Sequence, residues 1–119
     1  MKLSAITLDC ADPLELLAFY QQATGLEPHP KSDAEFAGVT THDRLFIGFQ
    51  RVDDYQPPSW PGQSAPQQLH LDFDVADLDE AEARLIGLGA GKPDYQPRPE
   101  HYRVLTDPAG HPFCIIANL

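Results

Sequence analysis

Apolar and polar residues alternate along two stretches of the chain, residues 3–10 and 69–75, and a period of two predicts β-strands there. The apolar face of the first strand carries Ile6, Leu8 and Cys10. The second strand has Leu71, Phe73 and Val75 on its apolar face, and His70, Asp72 and Asp74 on the opposite face. We expect the apolar face of each strand to meet a helix and the other face to stay clear of it.

A helical period of apolar residues follows each strand and predicts helices over residues 13–24 and 78–88. Each helix is preceded by an aspartate suited to the N-cap position, with a glutamate three residues later in a capping-box-like pattern: Asp12 with Glu15, and Asp77 with Glu80. Glycines such as Gly25 are expected to end the helices. The same strand-to-helix connection therefore occurs twice in the sequence.

This self-similarity extends over sixteen residues, since residues 5–20 align with 70–85 without gaps and share five identities. Shorter strands are predicted after each helix, at residues 35–41, 45–51, 103–106 and 113–118, with weak strands near Leu26 and Lys92. Each half then has the order βαβββ. We predict an α+β fold in a single domain, residues 1–119, with repeat one at about 1–52, a linker at about 53–67 and repeat two at about 68–119.

The predicted linker is long for a structureless connection in a compact domain. Residues 52–68 contain four prolines together with Trp60. One interpretation is a semi-extended linker in which Trp60 covers the open end of a barrel. The other is a lid in which Trp60 and Tyr55 contact a ligand, since aromatic side chains give contact area at small entropic cost.

Charge narrows the range of partners. Eighteen acidic residues against eight basic ones give a formal net charge of −10, which repels nucleic acid and anionic membrane surfaces. The first residues lack the pattern of a secretory signal, so we expect a cytoplasmic protein. Two cysteines, Cys10 and Cys114, are too few for a disulfide framework, and both are expected to be buried free thiols.

Three segments together resemble the vicinal oxygen chelate superfamily, in particular its glyoxalase-like (glyoxalase/bleomycin resistance/dioxygenase) branch. They are "ADPLELLAFYQQATGL", "LHLDFDVADLDEAEARLIGLGA" and the closing "DPAGHPFCI". The resemblance implies that two βαβββ repeats form a cupped, barrel-like mixed sheet with helices on its convex face. It also implies a metal or a small ligand on the concave face, and a homodimer.

Proteins of this superfamily typically hold a divalent metal through a histidine or glutamine of the first strand, a histidine of the fifth, and carboxylates of the fourth and eighth. The resemblance places Ala5, His70, a residue within 44–50 and Cys114 at these positions, and of these only His70 is a conventional ligand. We therefore expect no metal and no other cofactor. If a divalent metal is bound, His70, Asp72 and Cys114 are the weak candidates, for a thiolate-tolerant ion such as zinc.

The expected cavity is bounded by Ala5, Thr7, Trp60, His70, Asp72 and Cys114. His70 is the candidate general acid or base, and a hydrogen-bonded structural histidine is the alternative. Thr7, Asp72, Cys114 and Trp60 are the candidate ligand contacts, with Cys114 packing in the wall rather than acting as a nucleophile. The other four histidines lie in turn-like or loop-like stretches and are expected to be exposed.

Three functions remain open from the sequence. The first is a metal-independent enzyme of the lyase or isomerase type, or a hydrolase, acting on a small metabolite through His70. The second is a drug-binding, bleomycin-resistance-like protein that sequesters a cationic compound against Trp60. The third is a metal-dependent lyase or dioxygenase. All three require a small-molecule ligand and neither nucleic acid nor a membrane.

Overall fold

The computed structural model describes residues 1–117, and the chain divides into two compact units, Met1–Gln56 and Pro57–Leu119. The first unit contains β1 (Ala5–Cys10), α1 (Pro13–Thr24), β2 (Glu27–Pro28), β3 (Phe36–Thr40) and β4 (Phe46–Arg51). The second contains β5 (Leu71–Val75), α2 (Leu78–Gly87), β6 (Tyr102–Thr106) and β7 (Pro112–Ala117). The assignment of residues 1–119 to one domain stays a prediction.

The first unit is a four-stranded mixed sheet in the order β1-β4-β3-β2. Strand β1 runs parallel to β4, with Thr7 opposite Gly48, and β3 runs antiparallel to β4. Helix α1 packs on one face of this sheet, where the buried Tyr20 ring stacks on Phe49 with centroids 5.4 Å apart. Apolar side chains of β1, β3 and β4 complete this core, as the alternation in the sequence predicts.

The second unit is a three-stranded mixed sheet in the order β5-β7-β6, with α2 packed against β6 and β7. The weak strand expected near Lys92 is present only as an isolated bridge between Gly91 and Thr106. Pro93 follows directly and has no N–H to extend a ladder. The α+β class and the two repeats are confirmed, and the second repeat has the order βαββ with this bridge in place of its middle strand.

The predicted helix caps are present in both repeats. The Glu15 backbone N–H donates to Asp12 Oδ1 at 3.2 Å, and the Glu80 N–H donates to Asp77 Oδ1 at 2.8 Å. Gly25 ends α1 in the left-handed conformation, with φ at 72°. Helix α2 ends one residue earlier than the sequence predicts. These local hydrogen bonds set the residue at which each helix begins after the preceding strand.

An ion-pair network joins α2 to the edge strand β6. Arg103 bonds Asp79 at 2.9 Å and Glu82 at 3.1 Å, and Lys92 lies 3.0 Å from Glu82. Burial opposes ionisation of Glu82, but the hydrogen bonds and charges of Lys92 and Arg103 outweigh it and lower the pKa of that carboxyl. Arg103 therefore neutralises the negative charges of Asp79 and Glu82 on α2.

The ends of the remaining strands differ from the predicted ones by one or two residues. Strand β7 begins at Pro112, one residue before the predicted start, and the predicted last residue, Asn118, lies outside the described residues. The turn before β7 is built as expected, since the Gly110 N–H donates to the Asp107 carbonyl at 2.8 Å. Within residues 1–117, none of the helices has the length and apolar character needed to cross a membrane.

Candidate functional site

The second unit contains a cavity of about 370 Å³ on the face of the sheet opposite α2. Four lining residues offer polar groups from the loop before β5 and from β5 and β7: Gln67, His70, Asp72 and Cys114. The rest of the wall is aromatic or apolar and is made by Trp60, Pro97, Tyr102, Val104, Pro112 and Ile116. A concave, mostly apolar site with a few polar groups on one wall is the usual form of a small-molecule pocket.

Strand pairing brings the polar wall together. Strand β5 runs parallel to β7 with Asp72 directly opposite Cys114, and β6 places Val104 on the other side of Cys114. His70 lies just before β5, on the same face as Asp72 because side chains alternate along a strand. The His70 Nε2 atom is 3.3 Å from Asp72 Oδ1, and both side chains are less than half exposed, at 41% and 44%.

The Cys114 thiol is held in its neutral form. Cys114 is buried, and this burial is the largest cause that raises the pKa of the thiol to about 11. The charge of Asp72 and a hydrogen bond to that carboxylate raise the pKa further towards this value. At neutral pH the S–H therefore donates to Asp72, and almost no thiolate is present for nucleophilic attack. The packing role of Cys114 in a ligand site stays a prediction.

Trp60 lines the same cavity from a loop that closes on itself. The Ser59 N–H donates to the Ala65 carbonyl at 2.7 Å, and the Ala65 N–H donates to Ser59 Oγ at 2.9 Å. The Trp60 ring lies against Tyr95 with centroids 5.7 Å apart. This part of the predicted linker is therefore a compact loop within the second unit, not a semi-extended connection. Tyr55 is not among the residues that line this cavity.

Gln67 is the polar residue that the sequence did not indicate. Its Oε1 atom is buried and has no hydrogen-bond partner among the described residues. A glutamine in a proline-rich loop, here followed by Gln68, carries no sequence signal of a site. Tyr102 and Val104, by contrast, share a face with Cys114 by strand register, so strand alternation alone could have placed Val104 in the wall.

Ala5 and Thr7 belong to the first unit, on the exposed face of β1. Their participation in a ligand site stays a prediction. The first unit has a separate cavity of about 300 Å³, lined in part by His29, Lys31 and the stacked rings of Phe36 and Phe46.

Three of the four histidines outside the cavity are exposed as predicted, namely His29, His42 and His101. His111 is half-buried, because the turn at Asp107 folds its backbone inward, with the His111 N–H donating to Asp107 Oδ1 at 3.0 Å. Sequence position in a turn-like stretch was therefore a poor guide to the exposure of this one histidine.

The residues present do not match the four-ligand metal site that the resemblance implies. Ala5 has no ligand atom, and the β4 sequence FIGFQR has no carboxylate or imidazole. In the second unit, one ligand atom from each of His70, Asp72 and Cys114 lies within 4.8 Å of the others. This nitrogen, oxygen and sulfur set suits a thiophilic ion rather than a hard cation, and it requires that Cys114 first lose its proton.

Comparison with known proteins agrees with the resemblance. The profile of the family described as "Glyoxalase-like domain" matches residues 5–116. Among solved structures, a glyoxalase/bleomycin resistance protein/dioxygenase family enzyme from Burkholderia phytofirmans PsJN is 24% identical, covers 100% of both chains and has a TM-score of 0.73. A possible glyoxalase from Bacillus cereus is 16% identical, covers 98% of both chains and has a TM-score of 0.72.

A third similar structure contains a metal. It is a mutant of the fosfomycin resistance protein FosX from Listeria monocytogenes, complexed with Mn(II) and 1S,2S-dihydroxypropylphosphonic acid. It is 22% identical, with 97% of this chain and 88% of that chain covered and a TM-score of 0.72. At these identities the three structures show the shared fold. Comparison with curated proteins gave no significant match.

Proposed function

Because the chain belongs to the glyoxalase-like domain family, we propose that it binds a small molecule in the cavity of its second unit, with His70 as acid or base. The observation that carries this proposal is the 3.3 Å approach of His70 Nε2 to Asp72 Oδ1 in the wall of that cavity. Carboxylate contact orients an imidazole and fixes which nitrogen carries the proton.

Proton transfer is the chemistry that this pair supports. When the Nε2–H of His70 faces Asp72, the Nδ1 atom has the lone pair that accepts a proton, and the protonated ring can return it to another atom of the ligand. Cys114 does not supply a nucleophile, because its proton is retained. A lyase or isomerase reaction, in which a proton is removed at one atom and added at another, fits these two properties.

The proposed activity does not use the hard divalent metal of the superfamily. The support is the ligand chemistry, since the three positions that would supply the other ligands beside His70 carry alanine, the residues of β4 and a neutral thiol. Asp72, Cys114 and Trp60 are the proposed ligand contacts in this cavity, and a ligand contact of Thr7 stays a prediction from the sequence. The homodimer and the cytoplasmic location stay predictions from the sequence.

A screen with a matched variant tests this proposal. Wild-type protein and His70→Ala are each incubated with a metabolite library in the presence of a chelator, and consumption of compounds is followed by proton NMR. We expect at least one compound to be consumed by the wild type only, with closely similar unfolding temperatures, because the half-exposed His70 contributes little packing. Consumption at equal rates by both proteins would overturn the role of His70.

Sequestration without turnover is the second candidate function. It is favoured by Trp60, which lines the cavity from the closed loop at residues 59–66 and rests against Tyr95. Trp60 is the only tryptophan of the chain, so its fluorescence reports on this wall directly. Saturable quenching by a compound that the protein leaves chemically unchanged would support sequestration, and consumption of every compound that quenches would contradict it.

A further inference from the structure

The polar wall of the second-unit cavity offers three hydrogen-bond acceptors, beside uncharged N–H and O–H groups of Trp60, Gln67 and Tyr102. Asp72 contributes a carboxylate, Gln67 a carbonyl oxygen and His70, when Nε2–H faces Asp72, the lone pair of Nδ1. All three are hydrogen-bond acceptors. Among residues 1–117, no lysine or arginine lines this cavity, so the wall offers no cation to an anionic ligand.

The charge of Asp72 is only partly compensated by its protein partners. His70 lies 3.3 Å away and the Cys114 thiol donates to it, but neither group brings a permanent positive charge. The carboxylate is 44% exposed on the cavity side of β5, and it stays open to a further donor. A carboxylate with neutral partners, at the wall of an apolar cavity, attracts a cationic donor more strongly than a neutral one.

Gln67 gives an independent indication of a ligand. Its buried Oε1 lacks a partner among the described residues, and a buried acceptor without a donor destabilises the folded protein. A ligand N–H that reaches this oxygen removes that cost on binding. The same cavity therefore contains one buried acceptor without a protein donor and one acceptor that carries a charge.

The remaining wall fits a flat apolar group. Trp60 and Tyr102 present aromatic rings, with Val104 and Ile116 beside them on the sheet. Aromatic faces also attract cations, because the ring quadrupole places negative charge on each face. We infer that the ligand of this cavity is an organic cation, an ammonium or amidinium group attached to a flat apolar body. This inference rests on the proposed small-molecule site and specifies the class of its ligand.

Three probes of nearly equal shape test the charge requirement on the wild-type protein. Benzamidine is a cation at neutral pH, benzamide is neutral and benzoate is an anion. Binding is followed by Trp60 fluorescence and by calorimetry. We expect saturable binding of benzamidine, at least about tenfold weaker binding of benzamide, which corresponds to about 1.4 kcal/mol, and no binding of benzoate at millimolar concentrations.

Two aspartates of β5 provide a matched pair of variants. Asp72→Asn removes the cavity carboxylate, whereas Asp74→Asn removes the same charge from the same face two residues further on, outside the cavity lining. We expect the first variant to lose about tenfold in benzamidine affinity and its preference over benzamide. The second should keep both. Gln67→Leu should weaken benzamidine several-fold by removing the unpaired acceptor.

The outcomes separate this inference from the proposed function. Equal binding of the three probes, or tighter binding of benzoate, would overturn the cation requirement and leave a small-molecule pocket in place. Failure of benzamidine to bind at millimolar concentrations would also overturn it. The consumption screen with His70→Ala does not use these probes, so it tests the proposed role of His70 separately.

Discussion

Replacing Asp72 by asparagine should make the Cys114 thiol ionise more readily. The carboxylate acts on Cys114 through its charge and through a hydrogen bond, and both raise the pKa of the thiol. Asparagine has nearly the same shape but no charge. The pKa of Cys114 should therefore fall in the variant, and the thiol should react faster with an alkylating reagent, because the thiolate is the reactive form.

The size of the effect follows from the raised pKa. With a pKa of about 11, about one Cys114 thiol in 1,000 is ionised at pH 8, against about one in ten for a thiol at the ordinary value of 9.0. Wild-type Cys114 should therefore be alkylated about a hundredfold more slowly than such a thiol. Burial is the largest cause of the raised pKa and persists in Asp72→Asn, so the variant should recover only part of this factor, about three- to tenfold.

Iodoacetamide labelling at pH 8, followed by peptide mass spectrometry, measures this directly. Cys10 is an internal reference, since it is buried in the first unit and its Sγ donates to the Gln50 carbonyl at 3.6 Å. Asp74→Asn is the control for a general change in charge. An unchanged Cys114 rate in Asp72→Asn, or a wild-type rate equal to that of an ordinary thiol, would refute the electrostatic argument.

Three stability predictions follow from other contacts. Asp107→Ala should lower the free energy of unfolding by about 2 kcal/mol, because the buried carboxylate accepts the Ala109 and His111 N–H groups at 3.0 Å. Urea unfolding measures this free energy. A loss smaller than that of a substitution at an exposed site would contradict the prediction. Asp77→Ala should cost about 1 kcal/mol at the α2 N-cap, whereas Asp77→Ser should retain most of the stability in thermal unfolding. Folding raises the pKa of Cys114, so the neutral thiol contributes to the free energy of unfolding fully below pH 9, and this contribution is lost as the pH rises towards 11. The wild type should therefore lose up to about 2.7 kcal/mol more than Cys114→Ala over this range. Parallel curves of unfolding free energy against pH for the two proteins would contradict this.

Features set by neighbouring residues were predictable from the sequence. The N-caps at Asp12 and Asp77 depend on residues three positions apart, and strand alternation fixes which face of β5 carries Asp72. The pairing of Asp72 with Cys114 needed the topology, because it joins residues about forty positions apart in the sequence. The family resemblance supplied that topology.

The remaining features depend on where loops close. The orphaned oxygen of Gln67 and the position of Trp60 result from the loop at residues 59–66, whose closure depends on hydrogen bonds of Ser59 rather than on any periodic pattern. The strand near Lys92 reduces to a bridge because Pro93 interrupts the ladder. Loop closure and the burial of one amide oxygen leave no trace in hydrophobic periodicity.

We propose that the cavity of the second unit is a small-molecule site that works without a hard divalent metal. Native mass spectrometry of the freshly purified protein, before and after addition of Mn(II), tests it most directly. We expect no stoichiometric metal in either spectrum and no difference between wild type and His70→Ala in Mn(II) uptake. One divalent ion per chain, lost in His70→Ala, would contradict it.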